Sequence, residues 1–426
     1  MFSLATRRQT AAAVLSAKQS LLQNGIMFGS AQGAFSFFAT NPENSFSTDK
    51  PAWDDMTEST RILAERLTGD ASDCQEDDDT RTRWKRRRAL SMAITLAESS
   101  SAAKQQQAAL LLTHMLETKR AEAIPKFRLG LAGAPGAGKS TFIECLGKYI
   151  LKLAEDSGNT SSQTKETKKS NSWIPDQLAV VCVDPSSTVT GGSILGDKTR
   201  MFELSRHPRS FVRPAPAAGA LGGLASYTDD VVSLCQTAGY ELVLLETVGL
   251  GQSEVEVAQS VDMLLLLIPP GGGDDLQGVK KGIIEVADMI IVTKADGNLL
   301  STAKMTAADY KGAMQFVHAK GRLQGWEHPP VLLASAVTEE GVSNIWEYVC
   351  RYRRDMIDTG NLEEKRRKQS RYWMWKNLQN LVQEKARKSS SLNRFSRDLE
   401  EKLNSGRMTP RVAAARLLDC ISGNNN

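Results

Sequence analysis

The spacing of apolar residues changes twice along the chain. Over residues 57–122 they recur every three to four positions, as in "ALSMAITLAESS" and "QQQAALLLTHMLET", which predicts helices. From 126 to 345, short apolar runs alternate with helical stretches. After 345 the helical spacing returns, in "RYWMWKNLQNLVQEKA" and "TPRVAAARLLDCI". The apolar faces of these last two pieces need a core or a second subunit to cover them.

The middle region predicts an α/β fold with a mostly parallel central sheet, flanked by N-terminal and C-terminal helical extensions. Strands that are apolar on both faces and alternate with helices are typical of a parallel sheet covered on both sides. The strand candidates are 127–133, 178–184, 241–247, 263–269, 289–294 and 331–336. The polar stretch 155–173 is predicted to be a mobile surface insert.

The first residues have the composition of a targeting segment. Arg7, Arg8 and Lys18 occur among many Ser and Ala, and no acidic residue precedes Glu43. Arg- and Ser-rich, acid-poor sequences are typical of organelle transit peptides. We therefore predict import into the mitochondrial matrix; the alternatives are a disordered tail or a first helix of the domain.

Charge and cysteine usage exclude several classes of protein. The 426 residues include 53 basic and 49 acidic ones, a balance too even to indicate nucleic acid. The basic run 81–88 follows the acidic run 76–79 and is predicted to be a solvated helix start. Six scattered cysteines form no C-x-x-C pair, which disfavours a disulfide framework or zinc site. The longest aliphatic run, 263–268, is far below the roughly 20 residues of a membrane helix. We expect neither nucleic acid nor membrane as a partner.

A phosphate-binding loop is the clearest motif. "GAPGAGKST" fits G-x-x-x-x-G-K-[ST], follows a strand candidate and opens a helix. Its glycines let backbone N–H groups face the phosphates, Lys139 is predicted to contact the β- and γ-phosphates, and Ser140 to bind magnesium. The predicted nucleotide contacts here are Gly133, Ala134, Pro135, Gly136, Ala137, Gly138, Lys139, Ser140 and Thr141.

Acidic residues end two other strand candidates. Asp184 closes "LAVVCVD", and Glu246 closes "LVLLE" and begins an E-x-x-G run that ends at Gly249. This run resembles the D-x-x-G switch of GTPases, in which the glycine N–H contacts the γ-phosphate. Magnesium prefers oxygen ligands. The sequence therefore predicts Asp184 and Glu246 beside the metal.

The segment "TKADG" is predicted to read the base. GTPases use N-K-x-D, and here Thr293 replaces the asparagine while Lys294 and Asp296 are in place. A carboxylate offers only acceptors, which suits the N1–H and N2–H₂ donors of guanine and not adenine. "SAVTEEG" resembles the loop that closes over the base, so Ser335, Ala336 and Val337 are added to the predicted GTP contacts.

Together these motifs predict a P-loop GTPase and four regions along the chain. The regions are a transit or disordered segment (1–55), an N-terminal helical segment (56–125), a P-loop GTPase domain (126–350) and a C-terminal helical segment (351–426).

One further stretch gives a family resemblance. "VDPSSTVTGGSILGDKTRM" (183–201), with the loop, "ETVGLGQSE" and "TKADG", resembles the methylmalonyl-CoA-mutase-associated GTPases over roughly residues 80–422. The resemblance implies a homodimer, with 351–426 as its dimerisation segment, that binds GTP, GDP and Mg²⁺ and assists the adenosylcobalamin-dependent methylmalonyl-CoA mutase. In that role it gates cofactor loading and protects the mutase.

The resemblance also assigns residues. It implies that Lys139, Asp184 and Glu246 carry the phosphate chemistry and that 186–201 and 249–256 move with the γ-phosphate. The implied magnesium ligands are Ser140, Asp184, Asp197 and Glu246. Gln252 lies three positions after Gly249, whereas Ras-type enzymes place the catalytic glutamine directly after the glycine, so we assign it no role in positioning water.

Two alternatives share the P-loop. A nickel-insertion GTPase needs a metal relay, and His114, His207, His318 and His328 with no paired cysteines make a poor one. A small-molecule kinase needs a substrate pocket that shields the γ-phosphate from water, and no sequence feature indicates one.

Overall fold

The computed structural model describes residues 53–69, 76–99, 101–118, 125–158, 173–184, 201–216, 227–247, 253–271, 281–315 and 325–421. The chain divides into two compact units, and the boundary falls between Asn377 and Leu378. The predicted transit segment lies outside the described residues up to position 52.

Three helices open the larger unit, as the apolar spacing predicts. They are α1 (Glu58–Thr68), α2 (Glu76–Ala97) and α3 (Ala102–Thr118). Thr57 begins α1, since its hydroxyl accepts a hydrogen bond from the Thr60 N–H at 3.4 Å. Each helix buries apolar pairs four residues apart, which places them on one face. These pairs are Leu63 and Leu67, Leu90 and Ile94, and Leu111 and Met115.

The basic run at the start of α2 is only partly solvated. Arg81, Lys85 and Arg88 are exposed, as predicted. The prediction is wrong for two neighbours: Arg86 donates to the Gly69 carbonyl and Arg87 to that of Ser205. These guanidinium groups therefore connect α2 to other segments of the unit.

A seven-stranded, all-parallel sheet forms the centre of the unit, with strand order β3-β2-β4-β1-β5-β6-β7. The strands are β1 (Phe127–Ala132), β2 (Leu178–Asp184), β3 (Ser210–Pro216), β4 (Leu242–Glu246), β5 (Met263–Ile268), β6 (Met289–Val292) and β7 (Val331–Leu333). This confirms the predicted parallel sheet and adds β3. The strand was missed because Pro214 and Pro216 argue against a strand, and an edge position tolerates them.

Helices cover both faces of the sheet. They are α4 (Lys139–Gly158), α5 (Phe202–Arg206), α6 (Thr228–Thr237), α7 (Ser253–Ala258), α8 (Lys281–Val286), α9 (Leu300–Met314), α10 (Val342–Asp358) and α11 (Asn361–Lys388). Along β4, Leu242 and Leu244 face the layer that contains α4 and α10, while Val243 and Leu245 face the layer with α1–α3 and α6. The sheet is thus buried on both sides, and its carboxyl-terminal edge carries the loops.

The predicted insert begins later than expected. Helix α4 continues to Gly158, so residues 155–158 are helical, and 159–172 lie outside the described residues. Trp373 of α11 is 4% exposed and belongs to the core, so part of "RYWMWKNLQNLVQEKA" packs on the same unit.

The smaller unit contains α12 (Ser390–Asn404) and α13 (Pro410–Ile421), which contact each other. Ser389 begins α12 by accepting a hydrogen bond from the Leu392 N–H at 3.4 Å. Leu392 and Leu399, seven residues apart, are its buried positions. No described helix is long and apolar enough to cross a membrane.

Gly130 of β1 lies against Val257 of helix α7 and against two residues that follow this helix. A Cβ there would lie 2.9 Å from Val261, 3.0 Å from Leu264 and 3.2 Å from Val257. We expect Gly130→Ala to lower the free energy of unfolding by about 1–3 kcal/mol through overpacking, measured by urea denaturation. Gly312→Ala is the control, because Gly312 lies in α9 with no neighbour within 4 Å of the added Cβ. Equal stability of the two variants would contradict this packing argument.

Candidate functional site

The P-loop leaves the end of β1 through a turn that only glycine fits. Gly133 has φ 150°, and a Cβ there would lie 2.2 Å from the Leu267 carbonyl oxygen of β5. The Ala137 N–H donates to the Ala134 carbonyl at 3.1 Å and closes the next turn. Helix α4 begins at Lys139, so its first N–H groups lie at the loop. Helix N-termini favour anions in this position.

The Lys139 side chain is held against the loop. Its Nζ donates to the carbonyls of Gly133 at 2.7 Å and Ala134 at 3.2 Å, and the residue is 8% exposed. The contacts keep a positive charge among backbone groups that surround the predicted phosphate position.

Ser140 and Glu246 meet across the sheet edge. The Ser140 hydroxyl donates to Glu246 Oε1 at 2.7 Å, and each residue is 7% exposed. Glu246 ends β4 opposite Leu131 of β1, which brings it to the start of the P-loop. A hydroxyl and a carboxylate oxygen at this distance suit a small, hard cation such as Mg²⁺.

Only part of the predicted metal set is described. Asp184 is the last residue of β2, on the strand next to β4, but its side chain lies outside the described residues, as do Asp197 and Gly249. No group of three or more His, Cys, Asp or Glu side chains converges on a metal position within the described ranges. Ser140 and Glu246 are therefore the two predicted ligands that the structure places together.

The predicted base-reading segment is hydrogen-bonded to the P-loop. The Thr293 hydroxyl donates to the Ala137 carbonyl at 2.7 Å and approaches the Ile268 carbonyl at 3.2 Å. Lys294 has φ 52° and its Nζ donates to the Gly136 carbonyl at 2.8 Å. The left-handed backbone at Lys294 is uncommon outside glycine. Two successive residues after β6 thus fix the position of the loop.

Asp296 and the loop after β7 complete the carboxyl-terminal edge. The Ala295 N–H donates to the Ala334 carbonyl at 3.1 Å, which joins the two segments. Ser335 is fully buried, and its hydroxyl accepts from the N–H groups of Val337 and Thr338 at 3.2 and 3.1 Å. Asp296 is half-buried and does not cap the short 3₁₀ turn Gly297–Leu299. No hydrogen bond joins its carboxylate to the described part of the chain.

Sequence reasoning did not find Glu144. This α4 carboxylate accepts from the Glu203 N–H at 2.7 Å and the Leu204 N–H at 3.4 Å, and so caps α5. Lys148, one turn further along α4, pairs with the Glu203 side chain at 2.6 Å. These contacts fix α5, which follows the 185–200 stretch, against the helix that the P-loop opens. A surface acid on an amphipathic helix gives no sequence signal of such a role.

Comparison with known proteins gives consistent matches. Residues 90–158 and 173–391 match the family described as Methylmalonyl Co-A mutase-associated GTPase MeaB, and the match omits 159–172. The mouse protein named Methylmalonic aciduria type A homolog, mitochondrial, is 40% identical over 338 residues, which are 78% of this chain and 76% of that protein. The Escherichia coli protein named GTPase ArgK is 36% identical over 341 residues, 80% of this chain and 95% of that one.

A solved structure agrees with the fold. The crystal structure titled LAO/AO transport system kinase superposes with a TM-score of 0.59 at 27% identity, covering 86% of this chain and 99% of that chain.

Fold and site together define a P-loop GTPase, a class that binds guanine nucleotides. The family match extends over most of the chain, including the loop, β4 and the base-reading segment. The chain belongs to the family of methylmalonyl-CoA-mutase-associated GTPases of the MeaB type.

Proposed function

We propose that this protein is a GTP-hydrolysing chaperone of methylmalonyl-CoA mutase, which gates adenosylcobalamin loading and protects or reactivates the mutase. One observation carries the GTPase part of the proposal. The P-loop, the Ser140–Glu246 pair and the Thr293–Lys294 segment are joined by direct hydrogen bonds at one edge of the sheet. Membership of a family named for the mutase supports the choice of partner.

In this proposal the P-loop N–H groups and Lys139 hold the β- and γ-phosphates, and Ser140 and Glu246 hold magnesium with Asp184 and Asp197. When bound, Mg²⁺ neutralises charge that develops on the phosphate oxygens. Asp296 accepts from the guanine edge, the Lys294 stem covers the ring, and Ser335, Ala336 and Val337 close the base site. Lys139 and Glu246 are both more than nine-tenths buried, so their charges act where solvent screens them weakly.

The same proposal places the protein in the mitochondrial matrix as a homodimer. Two relatives, from mouse and Caenorhabditis elegans, carry "mitochondrial" in their names, and the composition of residues 1–42 supports import. The C-terminal helical segment 351–426 is the proposed dimerisation segment, and exposed Val412 and Leu418 of α13 provide apolar surface for it.

A binding assay with the mutase tests the proposed partner. With the mutase immobilised, we expect retention of the wild-type chain to differ at least tenfold between a non-hydrolysable GTP analogue and GDP, because differential affinity is what lets a nucleotide control a partner. Binding is measured by surface plasmon resonance. Light scattering of the complex formed in solution gives the number of chains in it.

The control is Lys139→Ala, which is expected to bind the mutase equally with either nucleotide. Wild-type protein that hydrolyses GTP but never binds the mutase would refute the chaperone role and leave the GTPase intact.

A further inference from the structure

One face of α11 holds the end of α7. The Gln369 amide donates to the carbonyls of Ala258 at 3.1 Å and Val261 at 2.7 Å. The Trp373 indole N–H donates to the Gln259 carbonyl at 2.9 Å. Gln369 and Trp373 are four residues apart and are each 4% exposed, so they lie on the same buried side of α11.

Ion pairs extend this contact at both ends. One turn further along α11, Lys376 pairs with Glu256 of α7, and both side chains are 22% exposed. One turn earlier, Arg366 donates to the Asp262 carboxylate from Nε at 2.9 Å and from Nη2 at 2.7 Å. Asp262 is fully buried, so this pair is screened only weakly. The α11 face therefore contacts residues 256–262 continuously.

Helix α7 depends on these contacts. It has six residues, fewer than an isolated helix needs to be stable. The last carbonyls of a helix have no partner within it. Here the carbonyl of Ala258 and the following ones of Gln259 and Val261 accept from α11 side chains. The position of α7 is thus set by α11 as well as by the sheet beneath it.

Helix α7 is also close to the nucleotide site along the chain. Five residues, 248–252, separate Thr247 from Ser253 at the start of α7. Thr247 is fixed, since its N–H donates to the Leu131 carbonyl at 3.1 Å beside the P-loop. Five residues span at most about 18 Å even when fully extended. A shift of α7 therefore constrains the chain that follows Glu246.

We propose that Gln369 and Lys376 are positioning residues that set how tightly the site holds GTP relative to GDP, by fixing α7. The inference rests on the proposed GTP site, because it takes the chain after Glu246 to be the part that meets the γ-phosphate. Coupling of this kind is reciprocal. The nucleotide bound at the P-loop therefore also affects how tightly α7 packs against α11, a helix of the C-terminal region outside the nucleotide site.

Charge reversal tests the coupling in the full-length protein. We expect Lys376→Glu to lower affinity for a non-hydrolysable GTP analogue about fivefold to tenfold, within the usual range of coupling between sites. Affinity for GDP should stay within about twofold, since GDP has no γ-phosphate to meet this segment. The double variant E256K/K376E should recover most of the loss, because it restores an ion pair with reversed polarity.

Two further variants provide a control and an independent check. Lys368→Glu reverses a charge on the same helix, where Lys368 pairs with Glu364 at 2.7 Å and is 75% exposed; it should behave as wild type. Lys376→Met removes the charge and keeps an apolar stem near the Trp373 ring, so it should retain the fold and show the same selective loss of GTP affinity.

Each outcome decides the question. Equal losses of GDP and GTP-analogue affinity in Lys376→Glu, or no loss of either, would overturn the coupling. Failure of the wild-type chain to bind GTP would overturn the proposed function itself. Normal wild-type binding with an unresponsive Lys376 variant would overturn the coupling alone.

Discussion

Replacing Lys139 with alanine is expected to weaken GTP binding by about 1,000-fold and GDP binding by about 10- to 100-fold, and to leave the fold intact. The ammonium group lies on the Gly133 and Ala134 carbonyls, 2.7 and 3.2 Å away, inside the loop that surrounds the proposed phosphates. Hydrogen bonds to charged groups contribute about 1.5–3 kcal/mol each, and each 1.4 kcal/mol is tenfold in affinity. Loss of one such bond to each of the β- and γ-phosphates accounts for the factor expected with GTP, whereas GDP loses only the bond to the β-phosphate. Titrations with fluorescent derivatives of GDP and of a non-hydrolysable GTP analogue measure the two factors.

Lys148→Ala is the matched control for Lys139→Ala. Lys148 lies on the same helix but pairs with Glu203 at the surface, where its side chain is 42% exposed. It should bind nucleotide with wild-type affinity. Far-ultraviolet circular dichroism of both variants checks that α4 still forms. Undiminished GDP affinity in Lys139→Ala would remove the phosphate-site assignment.

Asp296→Asn is expected to lower affinity for GTP about 100-fold and to raise affinity for xanthosine triphosphate. In the proposed site the carboxylate presents acceptors to the N1–H and N2–H₂ of guanine, and an amide turns one acceptor into a donor. Sites built to hydrogen-bond a ligand discriminate strongly when a buried polar group is left unpaired. Xanthine has a carbonyl where guanine has its amino group, so the new amide donor gains a partner. Competition between the two triphosphates measures the preference.

Asp309→Asn provides the comparison for base preference. Asp309 is exposed on α9, well along the helix that follows the base-reading segment, and loses the same charge when replaced. The Asp309→Asn variant should prefer GTP over xanthosine triphosphate to the same degree as the wild type. If Asp296→Asn shows the same ratio of affinities as Asp309→Asn, this carboxylate does not read the base.

The sequence predicted those parts of the fold that local patterns determine. Six of the seven strands are predominantly apolar, because a parallel sheet buried on both faces needs apolar strands. The seventh strand, β3, contains Arg213, Pro214 and Pro216, which do not favour a strand. Its hydrogen bonds to β2 stabilise the extended conformation that its local sequence does not predict. The start of the insert was predicted too early because residues 155–158 are polar, and the exposed end of a helix can be as polar as a loop.

The candidate site was predictable where one motif contains both the residue and its role. The P-loop glycines, Lys139 and Ser140 are of that kind, and their placement agrees with the pattern. Contacts between distant segments left no local signal. Glu144 reaches the N-terminus of α5 across 59 residues, and Lys376 reaches Glu256 across 120. Only the folded chain brings such pairs together.

The two edges of the sheet have a consequence for assembly. At one edge, Pro214 and Pro216 of β3 lack the N–H groups that a further strand would need. At the other edge, β7 has only three residues, too few for a stable added ladder. Strand addition, a common route by which proteins recruit peptides or self-associate, is thus disfavoured at both ends. We therefore expect a second subunit or the proposed mutase partner to bind through helices and loops.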